Sequence, residues 1–204
     1  ATLRTRVAES LRTLCFRETD GFLSDCLHAP PGTPASEAVA DDHLRPNQLF
    51  AVTLGALDDA DIAKAVVAAC SELVVPGAIR SLADRPTEFT LPIHGPDGLL
   101  NDPRHPYWGR YEGDEDTRRK PAYHNGTAWT WPFPSYCEAL LLAHGETARP
   151  TARALLLSAV HLLNHGCLGQ LPEIVDGDWP HTPRGCGAQA WGATELYRVL
   201  KTTA

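Results

Sequence analysis

The stretch Leu171–Trp191 reads LPEIVDGDWPHTPRGCGAQAW. Three acids, Glu173, Asp176 and Asp178, fall within six positions. Trp179-Pro180-His181 follows, then Arg184, then a Gly-Cys-Gly turn that leads into a helical pattern. Spacing alone reads the acids as a solvated turn ahead of a helix beginning near Gly187, because acidic turns are common. The same residues also hold what sugar chemistry requires. Carboxyl groups can serve as acid and base, Trp179 offers a flat apolar platform, and His181 and Arg184 can hydrogen-bond hydroxyls.

Outward from this stretch the chain is helix-like. Apolar residues recur with a period near 3.6 over 2–16 (Leu3, Val7, Leu11, Leu14), 46–57 (Phe50, Thr53, Leu54, Leu57) and 59–75 (Ile62, Val66, Ala69, Cys70, Leu73). They recur again over 135–146 (Tyr136, Leu140, Leu141), 150–165 (Leu155, Leu156, Ala159, Leu163) and 187–201 (Ala193, Leu196, Tyr197, Leu200). Pro46 and Pro150 suit first turns, Ser135 suits a cap, and Pro76-Gly77 is a stop signal. The segment from about 85 to 133 reads as one long functional loop, and short strands are expected only at 21–26 or within it. The fold class expected is therefore all-α: about six long helices joined by aromatic and acidic loops.

Bulk properties narrow the function. The 204 residues suffice for a core, and 43% hydrophobic with 21% charged residues describes a folded chain. A net charge of −7 excludes a phosphate-tracking surface, so no nucleic-acid partner is expected. No apolar run approaches the roughly 20 residues of a membrane span, so no membrane partner is expected either. The six cysteines form no CxxC pair; Cys15, Cys70, Cys137 and Cys167 sit in or beside apolar helical runs, as buried thiols do, and a reduced cytoplasmic protein is expected. His161 and His165 have i, i+4 spacing but lack the HExxH glutamate, and Asp176-Gly177-Asp178 lacks the rest of a calcium loop. Neither a metal nor a cofactor is expected.

Two further segments carry candidate binding residues. In PAYHNGTAWTWPF (121–133), Tyr123, His124, Asn125, Thr127, Trp129 and Trp131 form either a pocket wall or a packed aromatic loop. In HLRPNQLF (43–50), Arg45, Asn47 and Gln48 precede a helix, and spacing alone reads them as a plain helix start.

The order RPNQLFAV, PYWGRYEGDED, AYHNGTAWTWPF, LPEIVDGDWPHTPRGCGAQAW and ATELYRVL resembles the C-terminal glucosidase domain of glycogen debranching enzymes, the amylo-α-1,6-glucosidase family. The resemblance runs from about residue 20 to the C-terminus. It implies an (α/α)6 toroid, inverting hydrolysis of α-1,6-linked glucose, and Glu173 as general base. It also implies a pocket lined by Arg45, Asn47, Gln48, Tyr123, His124, Gly126, Thr127 and Trp129. The family's general acid is an aspartate in an upstream Trp-containing motif that these residues do not include. Six helices against the family's twelve, together with a methionine-free start at Ala1, lead to the expectation of a C-terminal half-toroid forming one domain over 1–204. Its open edge calls for cover, by the upstream half of the same polypeptide or by a second copy. The isolated chain is then expected to be inactive. Departures from the family pattern fall at Asn125, where Gln is usual, and at Trp129-Thr130-Trp131, where Trp-Pro-Trp is usual; both bear on substrate preference. The alternatives are a non-catalytic α-glucan-binding half-domain, or another toroid glucosidase active on trehalose or maltose.

Overall fold

The computed structural model describes residues 2–203. Seven α-helices occur along them: α1 (Leu3–Ser10), α2 (Leu49–Thr53), α3 (Ala60–Cys70), α4 (Lys120–Tyr123), α5 (Phe133–His144), α6 (Arg149–Ser158) and α7 (Ala190–Thr202). All but α4 fall where the apolar period predicts a helix. Of these, all but α5 are shorter than expected, and short 3-10 or π segments take up several flanks: Leu11–Cys15, Pro46–Gln48, Ser71–Leu73 and Ala159–Asn164. Asp59 caps α3, its carboxylate accepting from the N–H groups of Asp61 and Ile62 at 3.0 Å. Ser135 is not a cap; it lies buried within α5, whose proline-rich start lies two residues earlier.

The all-α expectation is wrong. A five-stranded antiparallel sheet runs through the molecule, built from β1 (Val74–Val75), β2 (Ala78–Arg80), β3 (Ala128–Trp129), β4 (Ile174–Val175) and β5 (Pro183–Arg184), in the order β5-β4-β3-β2-β1. The half-toroid of six long helices falls with it. Each strand is two or three residues long, too short to show an alternating pattern. The central residues Ile79, Ala128, Trp129, Ile174 and Val175 are all buried, so they read as apolar fragments of a helix end or a loop. Pro76-Gly77 is the clearest case. It does not merely stop a helix; it turns β1 into β2, with Gly77 at φ +75° and Val75 opposite Ala78. Pro183 sits on the edge strand, where a missing N–H is tolerated.

The expected long loop is likewise not structureless. It holds a ribbon (His94–Gly95 with Gly98–Leu99), a π turn at Glu115–Arg119, then α4 and β3. Strand structure at 21–26 is found at Phe22–Leu23, which pairs with Phe16–Arg17.

The core lies between α3, α5 and the sheet, with α2, α6 and α7 packed around it. Fully buried Phe22, Leu49, Val66, Leu73, Ile79, Phe133 and Leu156 fill it. The predicted stripes of α2 and α7 hold only in part: Leu57 and Leu196 are buried as expected, but Leu49 and Val52 are buried where Phe50 is half-buried and Leu54 exposed, and Val199 is buried while Tyr197 is exposed. On α1 the stripe faces outward, with Leu3 exposed and Ala8 buried. Cys70 and Cys137 are buried as expected and Cys15 is half-buried, whereas Cys167 is exposed, because the helix before it ends at Asn164. All six cysteines are free. No helix of the described residues is long and apolar enough to cross a membrane.

Candidate active site

The sheet joins the motifs. Trp129 on β3 stands opposite both Ile79 of β2 and Ile174 of β4, and Ile174 stands opposite Arg184 of β5. Glu173 directly precedes β4. Its N–H donates to the Cys186 carbonyl at 2.8 Å, and its carbonyl accepts from the Thr130 N–H at 3.3 Å. Its backbone is thus tied to neighbours on both sides.

The half-buried Glu173 carboxylate is held at both oxygens. Oε1 accepts from the Tyr123 hydroxyl, and Oε2 accepts from the Cys186 N–H at 2.9 Å. Each carboxylate oxygen has a second lone pair, so one on each remains for a proton. Desolvation of the Tyr123 phenol raises its pKa, and its hydrogen bond to Glu173 raises it further, so Tyr123 stays a donor. The chain reaches back to Glu173 through Gly185, at φ +65°. A Cβ there would stand 2.5 Å from Oε2, so only glycine leaves the carboxylate in place.

Three more glycines explain how the motif segments meet. A Cβ on Gly177 would stand 2.1 Å from the Gly126 carbonyl oxygen, and one on Gly126 would stand 2.5 Å from the Trp108 carbonyl. The Gly177 N–H donates to the Gly109 carbonyl at 2.6 Å. The segments 107–113, 121–131 and 171–178 therefore cross backbone to backbone.

Beside Glu173 lies an aromatic wall. Tyr123 packs against Trp129 (ring centroids 4.7 Å apart) and His124 stacks on Trp129 (5.3 Å, 10°). Trp131 is stacked between Phe50 (5.4 Å) and Trp191 (4.7 Å). Trp129, Trp131 and Trp191, with Asp25, Arg45, Asn47, Ser81 and His124, line a cavity of about 390 Å³. Glu173 is not itself in that lining; it sits behind Tyr123, which touches both Trp129 and His124. Burial of part of the His124 ring, then the nearby Arg45 guanidinium, lower its pKa below the usual histidine value, against an opposing pull from Glu173.

Several expected binding residues brace the fold instead of facing the cavity. Gln48 is buried: Oε1 accepts from the Leu23 N–H and Nε2 donates to the Arg45 carbonyl. Thr127 is wholly buried, donating to the Tyr123 carbonyl at 2.6 Å. Asn125 accepts from Arg45 Nη2 and donates to the Pro121 carbonyl. Arg45 lines the cavity yet is also a clamp, donating to the carbonyls of Ser81 and His124 and lying 3.5 Å from Asp25. Asn47, exposed, donates to Asp25 at 3.0 Å.

The other two acids of the opening stretch divide differently. Asp176 is buried, paired with Arg184 at 3.0 Å and accepting from the Tyr111 N–H at 2.8 Å. Arg184 reaches on to Glu112 at 3.2 Å, and its pKa is raised, chiefly by its hydrogen bond to Asp176. The pair locks β5 to the 111–112 segment. Asp178 faces a second cavity of about 520 Å³ with Tyr107, Arg110, Glu112 and Arg118; it accepts from the Tyr107 hydroxyl at 2.8 Å. Trp179 is the most exposed tryptophan, at 78%, and stands away from the first cavity. His181, at φ +60°, donates from Nδ1 to the Asp176 carbonyl at 3.0 Å and so shapes the turn.

Sequence reasoning missed Trp191, Asp25 and Gly185. Trp191 reads as the first apolar residue of a helix, and only the stacking on Trp131 brings it to the cavity. The PRGCG spacing after an acid signals a tight turn, which could have flagged Gly185.

A family model described as amylo-alpha-1,6-glucosidase matches residues 2–198. The chain belongs to that family, and with it to the glycoside hydrolase-related domains that process glucans. No curated protein matches it.

Proposed function

We propose that this domain serves the hydrolysis of α-1,6-linked glucose in an α-glucan, with Glu173 as the general base that activates water for inversion. The observation that carries the reading is the Glu173 carboxylate, held by Tyr123 and the Cys186 N–H and set behind a tryptophan-lined cavity. Sugars present flat C–H faces to aromatic rings and hydroxyls to polar arms. Trp131 and Trp191 supply the rings, and Asp25, Asn47 and His124 the arms. An inverting mechanism pairs the base with an acid roughly 6.5–9.5 Å away. Asp176 is committed to Arg184 and Asp178 to Tyr107, and the proposal assigns no residue of this chain to the acid. On the family resemblance, the acid comes from an upstream segment of the same polypeptide, and the isolated chain then binds glucan without turning it over.

Replacing Glu173 by Gln in the polypeptide that carries the acid tests the base. The amide cannot take the proton, so glucose release should fall by about 10²-fold or more while oligosaccharide affinity persists. Retained turnover would sink the assignment. Binding with no turnover in the unsubstituted polypeptide would establish the non-catalytic glucan-binding alternative.

A further inference from the structure

Away from Glu173, Leu27–His28 pairs with Val39–Ala40 as a short antiparallel ribbon, with His28 opposite Val39. The Asp41 N–H extends the pairing by donating to the Cys26 carbonyl at 3.2 Å. Residues two apart in a strand share a face, so Cys26 and His28 project together, beside Asp41. The Cys26 Sγ, a ring nitrogen of His28 and a carboxylate oxygen of Asp41 all lie within 4.8 Å of one another. Cys26 and His28 are exposed and Asp41 is 2% exposed, so a buried anion stands beneath two donors that solvent can reach.

The surroundings are built around that anion. Asp41 Oδ1 accepts from the Ser24 hydroxyl and the Asp25 N–H, each at 3.0 Å. Oδ2 faces His28 Nε2 at 3.1 Å and His43 Nδ1 at 3.4 Å. His43 is buried, and its Nε2 lies 3.0 Å from the Phe89 carbonyl. A carbonyl only accepts, so that nitrogen carries a proton. The other ring nitrogen faces Asp41 Oδ2 and helps hold the carboxylate in place. The His28 ring is itself steadied by stacking on Phe89, at 4.1 Å and 24°.

We propose that Cys26, His28 and Asp41 form a binding site for a zinc-type divalent cation, with His43 orienting the carboxylate. Thiolate, imidazole and carboxylate are the donors such ions prefer, and three protein donors leave one position open. Calcium and magnesium select oxygen donors and would not use the thiol. Binding converts the Cys26 thiol to a thiolate and releases its proton to buffer. The cation ties 26–28 to Asp41, the stretches that lead directly into Asp25 and Arg45 on the cavity wall. The site thus acts as a staple behind the candidate glucan cavity, but its existence does not depend on that cavity's function.

The experiment titrates metal-stripped protein with Co²⁺ while following thiolate-to-cobalt charge-transfer absorption, then adds Zn²⁺. One equivalent should bind with that absorption and be displaced by Zn²⁺. Cys26→Ser should abolish the band, and His28→Ala should weaken Zn²⁺ binding by about tenfold or more. Both side chains are exposed, so the variants should fold, which circular dichroism checks. The exposed His161→Ala and His165→Ala variants should bind as the parent does. Absence of stoichiometric Zn²⁺ binding would overturn the proposal. So would binding that survives both Cys26→Ser and His28→Ala, binding that follows His161 and His165, or equal competition by Mg²⁺.

Discussion

Gly185→Ala and Gly166→Ala make a matched pair that isolates the placement of Glu173. Both glycines adopt the same left-handed backbone, φ +65° and +66°. Alanine there costs roughly 1–2 kcal/mol at either site. In a domain of this size that lowers Tm by about 2–8 °C. The surroundings differ. Nothing lies within 4 Å of a Cβ on Gly166, whereas one on Gly185 would stand 2.5 Å from Glu173 Oε2 and 3.1 Å from Ile174 Cγ1. Ordinary contact begins near 3.4 Å, so the carboxylate must retreat by about 0.9 Å. The retreat lengthens or breaks its 2.9 Å bond from the Cys186 N–H. A displacement of about 1 Å can cost about 10²-fold in rate. Glucose release from an α-1,6-glucosyl oligosaccharide, by the polypeptide carrying this domain and the acid, is the assay. Gly166→Ala should keep kcat near the parent value, while Gly185→Ala should lose about 10²-fold in kcat with KM little changed. Equal kcat in the two variants would refute the reasoning, because it would show that the position of the Glu173 carboxylate does not govern turnover.

Three further outcomes follow from the same geometry. Gly77→Ala adds a Cβ 2.8 Å from both Ala159 Cα and Leu162 Cδ1 at φ +75°, so strain and overpacking together should cost about 2–5 kcal/mol in denaturant unfolding; a loss under about 1 kcal/mol would contradict the tight hairpin. His124 should titrate below the usual histidine value of about 6.5 when followed by NMR. Its folded pKa is depressed, so its contribution to stability is fully present above the unfolded value and is lost as pH falls through the folded one; a titration at or above the ordinary value would overturn that sign. Trp191→Ala removes the outer ring of the Phe50–Trp131–Trp191 stack and should weaken oligosaccharide binding by roughly tenfold, about 1.4 kcal/mol, measured by calorimetry; unchanged affinity would remove the stack from the glucan surface.

Much of this protein is legible in one dimension. Helix positions are, because a period of 3.6 repeats over ten or more residues and survives local irregularity; six of the seven helices lie where Ile62, Leu156, Leu196 and their neighbours recur. The family is legible too, since its motifs are long and keep their order. Exact burial is less so. Phe50 interleaves with Leu49 and Val52 on a helix of five residues, Leu54 lies just past its end, and the turn that enters it decides which side faces inward.

The sheet and the roles of the candidate residues belong to the tertiary structure alone. Two-residue strands carry no period, and β3 meets β4 across more than forty residues of chain, so only packing can pair Trp129 with Ile174. Residue type told that Gln48, Asn125, Thr127 and Asp176 could hydrogen-bond, but not with what. Folding spends those groups on Leu23, Arg45, Tyr123 and Arg184 because a buried polar group must be satisfied internally. The sequence alone determined which chemical groups the chain carries and where its helices run. The crossing at Gly109, Gly126 and Gly177, where a single methyl group would collide with backbone at Gly126 and Gly177 and with the Asp178 and Tyr107 side chains at Gly109, decided which of those groups stand together beside Glu173.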